Sequence, residues 1–319
     1  MRQRQLGTHG PLVSAVGLGG NNFGRTGTAT ESLDGTAAVI EAAVDAGVTF
    51  IDTADIYGGA GTSERLIGQV VAGLAERPVI ATKFGHGEFA MPDLPEIPKG
   101  SRTYIRAAVA DSVDRLGIET IDLLQQHTPD PRTPIEQTIE ALEELVEEGT
   151  ILAYGHSNFT AQQIEEAADA ARRMGVRGFV SSQDEYSLLH RGVEADRLPA
   201  ARAAGLGFLP YFPLANGLLT GKFTRTVRPS DTRIMRQRPH VAEDAPWDAI
   251  DAYAALCDSF GITMLEATFG WLLAQPGLTS VIAGATTPEQ IRANAAAAAW
   301  EPTTEQIDRI TALFPADAG

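Results

Sequence analysis

The stretch IRAAVADSVDRLGIETIDLLQQH, residues 105–127, decides the fold. Its first part sets apolar residues at Ile105, Ala108, Val109 and Leu116, the spacing of a helix with one buried face, and Gly117 follows as a left-handed stop. Its second part, residues 121–127, is mostly apolar without alternation, as a strand covered on both faces should be. The unit of helix, glycine and short strand recurs at Ala46-Gly47-Val48, Met174-Gly175-Val176 and Ala204-Gly205-Leu206, and Ile135, Ile139, Leu142 and Val146 mark a further helix. Strand-like runs at 16–19, 48–52, 79–83, 121–127, 151–158, 179–183, 208–214 and 280–283 bring the total to eight. Eight parallel strands separated mainly by helices predict an α/β fold, the (β/α)8 TIM barrel. The alternative is a doubly wound open sheet, but Gly17-Leu18-Gly19-Gly20-Asn21-Asn22 does not complete that fold's G-x-G-x-x-G fingerprint. Residues 5–13 read as an N-terminal β-hairpin plugging the barrel bottom. No linker-like stretch divides the chain, so residues 1–319 are expected to form a single barrel domain. Two long stretches without clear period, residues 84–101 and 221–245, read as lids.

Composition narrows the function. The chain of 319 residues is 44% hydrophobic and 21% charged, ordinary for a soluble globular protein. Its 25 basic against 41 acidic side chains leave a net charge of −16, which repels nucleic-acid phosphates and anionic lipid headgroups. A small-molecule partner is expected instead, with no nucleic acid and no membrane. A lone cysteine, Cys257, excludes an internal disulfide and a cysteine zinc site, and no metal is expected. The first residues carry no apolar signal core, so the location expected is cytoplasmic.

A barrel gathers the carboxyl ends of its strands on one face, where barrel active sites lie. Asp52 ends the second run, Lys83 the third, His127 the fourth, Ser157 and Asn158 the fifth and Gln183 the sixth, while Tyr211 lies in the seventh. Lys83 stands out because only Lys83, Lys99 and Lys222 are lysines among the 25 basic side chains. Asp52 precedes Tyr57 by a loop able to bring both side chains to one pocket. A phenol with an ordinary pKa of ~10 is a poor acid unless a cation lowers it, and a lysine held by an aspartate is such a cation.

These residues resemble the aldo-keto reductases over nearly the whole chain. The motifs are Asp-Thr-Ala-x-x-Tyr-Gly (52–58), Ala-Thr-Lys (81–83), Asp-Leu-Leu-x-x-His (122–127), Gly-x-Ser-Asn-Phe (155–159) and Pro-Leu-x-x-Gly-Leu-Leu-Thr-Gly-Lys (213–222), in the family's order. The resemblance implies reduction of an aldehyde or ketone by NADPH, with NADH not excluded. Tyr57 becomes the general acid, Lys83 and Asp52 the pair that tunes it, and His127 the residue that orients the carbonyl. It also implies that Ser157, Asn158 and Gln183 hold the nicotinamide carboxamide and that Tyr211 stacks on its ring. Leu214, Gly217, Leu219, Gly221 and Lys222 fall in the family's pyrophosphate loop, and Gly284, Thr286, Gln290 and Asn294 at its adenosine site. Thr287 and Gln290 read as a capping box with Pro288 at the first helical position, a helix start suited to the 2′-phosphate. The basic residues that many members place near Gly284 and Gln290 are missing; Arg233 or Arg292 could supply the cation, the alternative being an arginine that only solvates an exposed face. Phe23, Phe84, His86 and Phe89 are expected to line the substrate pocket. His156, where the family usually has an aliphatic residue, receives no role.

Two other readings remain open on the residues alone. A buried strand-end Lys83 could form a Schiff base, as in a barrel lyase. The resemblance also reaches the potassium-channel β subunits, nucleotide-binding regulatory partners with little turnover.

Overall fold

A computed structural model describes every residue except 90, 92, 95, 231 and 317–319; the side chain of residue 233 also lies outside the described residues. Strands β1 (Gln3–Gln5) and β2 (Leu12–Ser14) pair as an antiparallel hairpin. Eight strands follow: β3 (Val16–Gly19), β4 (Phe50–Asp52), β5 (Val79–Phe84), β6 (Leu123–Gln126), β7 (Tyr154–Ser157), β8 (Ser181–Glu185), β9 (Gly207–Tyr211) and β10 (Val281–Gly284). They form one parallel sheet in the order β10-β3-β4-β5-β6-β7-β8-β9. A parallel bridge between Phe208 and Leu278, with Thr279 N–H donating to Phe208 O at 2.9 Å, brings the two edges together and all but closes the barrel.

Helices α1 (Leu33–Asp45), α2 (Thr62–Val71), α3 (Arg102–Leu116), α4 (Ile135–Glu147), α5 (Ala161–Met174) and α6 (Arg197–Ala203) follow β3 to β8 in turn. Between β9 and β10 come α7 (Arg233–Gln237), α8 (Pro239–Glu243), α9 (Trp247–Phe260) and α10 (Met264–Leu273); α11 (Pro288–Ala297) and α12 (Thr304–Leu313) follow. The glycines that end the helical patterns, Gly47, Gly117, Gly175 and Gly205, all have φ between +61° and +79°, the left-handed stop that the sequence requires. A stretch expected to be irregular, residues 221–245, contains α7 and α8; five-residue helices are too short to register as a period.

Two apolar layers hold the barrel. The larger lies between strands and helices. The smaller lies inside the barrel, where Leu6 and Val13 of the hairpin, both fully buried, pack against Phe50, Ala81, Leu123 and Leu209. Burial of each such side chain contributes roughly 1.5–3 kcal/mol, so the hairpin is a plug fixed by its own core. Strand limits shift where apolar content and register part company. Ile121 and Ile151 are buried and bridge each other, yet lie before the continuous ladders of β6 and β7. Strand β8, Ser-Ser-Gln-Asp-Glu, runs two residues past the expected end because buried polar side chains continue it. Among the described residues no helix is long and apolar enough to cross a membrane, and no group of three or more His, Cys, Asp or Glu is placed to hold a metal.

Candidate active site

The carboxyl ends of β4 and β5 are neighbours, and so Asp52 and Lys83 meet. Lys83 Nζ donates to Asp52 Oδ2 at 2.5 Å and to the carbonyl of Thr53 at 2.9 Å, with the lysine wholly buried and the aspartate 2% exposed. A buried ion pair persists only when its remaining lone pairs are satisfied. Asp52 Oδ1 accepts from Gln125 Nε2 and Gln183 Nε2, both at 3.0 Å. Burial alone would lower the pKa of Lys83, but Asp52 and Tyr57 outweigh it and hold the ammonium above its ordinary value.

The chain returns over this pair. After β4 the loop turns at Gly58, with φ +70°, where a side chain would stand 2.6 Å from Phe23 O. That turn, with Tyr57 N–H donating to Ala54 O at 3.1 Å, sets the Tyr57 ring so that Lys83 Nζ lies 5.1 Å from its centre. His127, the residue after β6, is tied by its N–H to Phe84 O at 2.8 Å. Its ring stands edge-on to Tyr57 at 6.0 Å and to His86 at 4.7 Å. Asp52, Tyr57, Lys83 and His127 are thus one cluster at the carboxyl end of the barrel.

The electrostatics depart from the expectation in one respect. Burial raises the pKa of Tyr57 above 10, and the pull of the Lys83 ammonium opposes this without reversing it. The phenol therefore stays protonated at every ordinary pH. Burial, then Lys83 and His86, push His127 well below its usual range, so its imidazole is neutral. Its Nδ1 has no hydrogen-bond partner among the described residues.

Ser157, Asn158, Gln183 and Tyr211 form a second cluster beside the first. Asn158, in the left-handed conformation that asparagine tolerates, donates from Nδ2 to His127 O and Ser157 Oγ, both at 3.0 Å. Its Oδ1 accepts from Tyr211 OH at 2.9 Å, and Ser157 Oγ donates to Gln183 O at 2.8 Å. Gln183 Nε2 reaches Gln125 Oε1 at 3.4 Å as well as Asp52. The amide and hydroxyl donors are therefore spent within the protein; lone pairs remain on Asn158 Oδ1, Gln183 Oε1 and Ser157 Oγ. Such a set fits the NH2 of a primary carboxamide, which needs acceptors.

The expected phosphate and adenosine residues lie on the same end. Residues 215–220 form an irregular 3-10 turn with Asn216 and Gly217 at positive φ, leaving Gly221 and Lys222 exposed and Leu214 half-buried, with Leu219 in the core. Gly284 is exposed at the end of β10, and Asn294 is buried on α11. The capping box is only half formed. Thr287 Oγ1 accepts from Gln290 N–H at 3.3 Å, but Gln290 Oε1 accepts from Thr286 N–H at 2.8 Å instead of from Thr287. Preceding-residue geometry decides this, and composition does not show it. Arg292 is exposed; the Arg233 side chain lies outside the described residues.

Phe23 and Phe84 are fully buried in the outer core and present no surface to a substrate, contrary to expectation; His86 and Phe89 are partly exposed. Gln125 was missed. The available signal was a pair of glutamines inside a strand otherwise buried on both faces. The hollow of about 440 Å³ at the hairpin end, lined by Arg4, Arg202 and Thr279 among others, lies at the opposite end of the barrel from Tyr57.

A sequence profile described as the aldo/keto reductase family matches residues 15–314. The chain is 34% identical to an uncharacterized oxidoreductase of Bacillus subtilis, over 100% of this chain and 98% of the relative. It is 32% identical to a probable voltage-gated potassium channel subunit beta of rice, over 98% and 96%. It is 30% identical to the L-glyceraldehyde 3-phosphate reductase of Escherichia coli, over 92% and 86%.

Proposed function

Because the chain belongs to the aldo/keto reductase family, we propose that it reduces an aldehyde or ketone to an alcohol, with NADPH as the reductant and Tyr57 as the proton donor. When bound, the reduced nicotinamide would supply a hydride, a hydrogen with its electron pair, to the carbonyl carbon. Tyr57 and His127 hold the carbonyl oxygen where negative charge develops, and Tyr57 gives it a proton. Neutral His127 donates from Nε2 without a charge of its own. Lys83, kept as an ammonium by Asp52, stabilises the phenolate that Tyr57 becomes, while Gln125 and Gln183 hold Asp52 in place.

Ser157, Asn158 and Gln183 would receive the carboxamide NH2 through their free lone pairs, and Tyr211 would pack on the ring. Leu214, Gly217, Leu219, Gly221 and Lys222 would follow the pyrophosphate, and Gly284, Thr286, Gln290 and Asn294 the adenosine. Arg292, exposed on α11, is a cation available to a 2′-phosphate at the adenosine site, which is the basis for naming NADPH. The observation that carries the reading is the buried Lys83–Asp52 pair set directly beneath Tyr57. The same observation argues against a Schiff base at Lys83: a nucleophilic lysine needs a lowered pKa and access, and Lys83 has neither.

The names of the plant relatives favour one second reading, a regulatory subunit that binds nucleotide with little turnover. A panel of aldehydes and ketones, run with NADPH and with NADH, separates the two. The proposed function requires steady oxidation of the reduced cofactor that depends on the carbonyl compound. Nucleotide binding without turnover across the panel would favour the regulatory subunit.

A further inference from the structure

The chain is strongly acidic, yet arginines gather beside Tyr57. The loop between β3 and α1 backs onto the turn that sets Tyr57: a side chain at Gly58 would stand 2.6 Å from Phe23 O, and one at Gly24 would stand 3.6 Å from Gly58 Cα. Arg25 follows directly in this loop. Helix α7, in the long connection between β9 and β10, reaches the same loop. Arg236 Nη1 donates to Gly27 O at 2.8 Å, and Arg25 Nη1 donates to Gln237 Oε1 at 3.1 Å, so the two segments are laced together at the carboxyl end of the barrel. Arg25 Nη2 donates to Asn21 O at 3.2 Å and to Asn21 Oδ1. Arg238, the residue after α7, is exposed, and its guanidinium makes no hydrogen bond or ion pair among the described residues.

Every partner of these guanidiniums is a neutral amide or carbonyl. Elsewhere in the chain Arg77, Arg115 and Arg197 pair with carboxylates, but among the described residues none lies within ion-pair distance of Arg25, Arg236 or Arg238. Glu31, the acid of the same loop, is engaged by Gly27 N–H at 2.8 Å instead. The charges feel one another. Burial, then Arg238, lowers the pKa of Arg25, and Arg236 acts in the same direction, while Tyr57 raises it. A guanidinium does not shed its proton in the ordinary range, so an anion is what relieves this crowding. Each of the three keeps N–H donors in the fixed fork that matches a carboxylate or phosphate.

We infer that Arg25, Arg236 and Arg238 form an anion-binding rim beside Tyr57, so that the preferred substrate is an aldehyde or ketone bearing a carboxylate or phosphate. This rests on the reductase reading above: the guanidiniums receive the anionic group while the carbonyl oxygen lies at Tyr57 and His127. The proposed cofactor contacts lie on other loops, at 214–222 and 284–294. In a chain of net charge −16 such a rim also offsets the repulsion an anionic substrate would otherwise meet on approach.

Steady-state kinetics of the full chain at saturating NADPH, with benzaldehyde, 4-carboxybenzaldehyde and 4-formylphenyl phosphate, test this. At least one of the two anionic aldehydes is expected to have a kcat/KM about tenfold above that of benzaldehyde, the worth of one charge-assisted hydrogen bond, with the gain in KM. Which of the two leads tells carboxylate from phosphate. Added salt should erode the preference, because exposed charges are screened. Arg25→Gln and Arg238→Gln should each reduce it several-fold, and Arg238→Gln removes no contact on which folding depends. Arg177→Gln, a charge lost from the amino end of β8, should leave it intact. Calorimetry of the same compounds with NADP+ present reads the rim without turnover. Should no aldehyde oxidise NADPH, the reductase reading fails, while tighter binding of an anionic aldehyde that is lost in Arg238→Gln still supports the rim. Equal kcat/KM and equal affinity for the three aldehydes, a preference indifferent to both arginine variants, or loss of NADPH affinity in those variants with the preference intact, which would assign the guanidiniums to the cofactor, would each overturn the inference.

Discussion

Asp55 lies two residues before Tyr57 and is 2% exposed. Neither carboxylate oxygen makes a hydrogen bond of ordinary geometry among the described residues, although the backbone N–H groups of Gly85 and Ile56 oppose its neutralisation. Burial, then Glu64, raises its pKa from 3.8 to about 7. The folded protein therefore binds this proton more tightly than the unfolded chain. The stability this confers is complete below about pH 4 and is lost as pH rises to about 7, with an upper bound of ~4 kcal/mol. Asp55→Asn removes that dependence. In thermal melts the variant should gain on the parent between pH 4 and pH 7, and the gap should then level off; a gap independent of pH would contradict the assignment. The motif around Asp55 was legible, because residue types and spacing are properties of a chain. Net pKa values were not. The expectation that Lys83 would lower the pKa of Tyr57 took account of the cation and not of the larger effect of burial, which depends on atoms from several elements.

At the scale of elements, the helix that follows the Tyr57 loop is locked to its neighbour by charge. Glu64 of α2 is fully buried and accepts from Thr82 of β5 and from Arg115 Nε of α3, the latter at 2.5 Å. Removal of one member of a buried pair leaves an uncompensated charge and costs about 3–5 kcal/mol, whereas removal of both costs far less. Arg115→Met should accordingly lower the melting temperature sharply, and Glu64→Leu with Arg115→Met should recover most of the loss. A double variant as unstable as the single would show that the pair acts through packing alone. Helices with a terminal glycine were legible in the sequence because periodicity and stop are both local. Strand β8 was legible only in part, since its polar residues are buried on both faces, Gln183 inside the barrel against Asp52 and Asp184 outside it against Arg197 of α6, partners supplied by elements distant in sequence. For the same reason Gln125 passed unnoticed, and Phe23 and Phe84 were assigned to the pocket when the fold places them in the core.

At the scale of the molecule, the barrel rests on its hairpin plug and presents the proposed site at the opposite end. Leu6→Ala removes a fully buried side chain from the inner core and should cost about 2–5 kcal/mol in denaturant titration, with the kcat of the proposed reduction little changed because the plug is remote from Tyr57. A parallel collapse of kcat under folded conditions would mean that the two ends are coupled. Eight strands closing a barrel followed from the repeating unit, because a parallel sheet covered on both faces imposes a composition that can be read, and the plug was read separately from residues 5–13. The most direct measurement of the whole account is turnover of reduced nicotinamide cofactor with a carbonyl substrate, compared between the parent chain and Tyr57→Phe, with cofactor affinity measured alongside. Loss of at least ~100-fold in kcat with affinity retained is the predicted result, since general acid catalysis contributes ~10²–10⁴; undiminished turnover in the variant would contradict it.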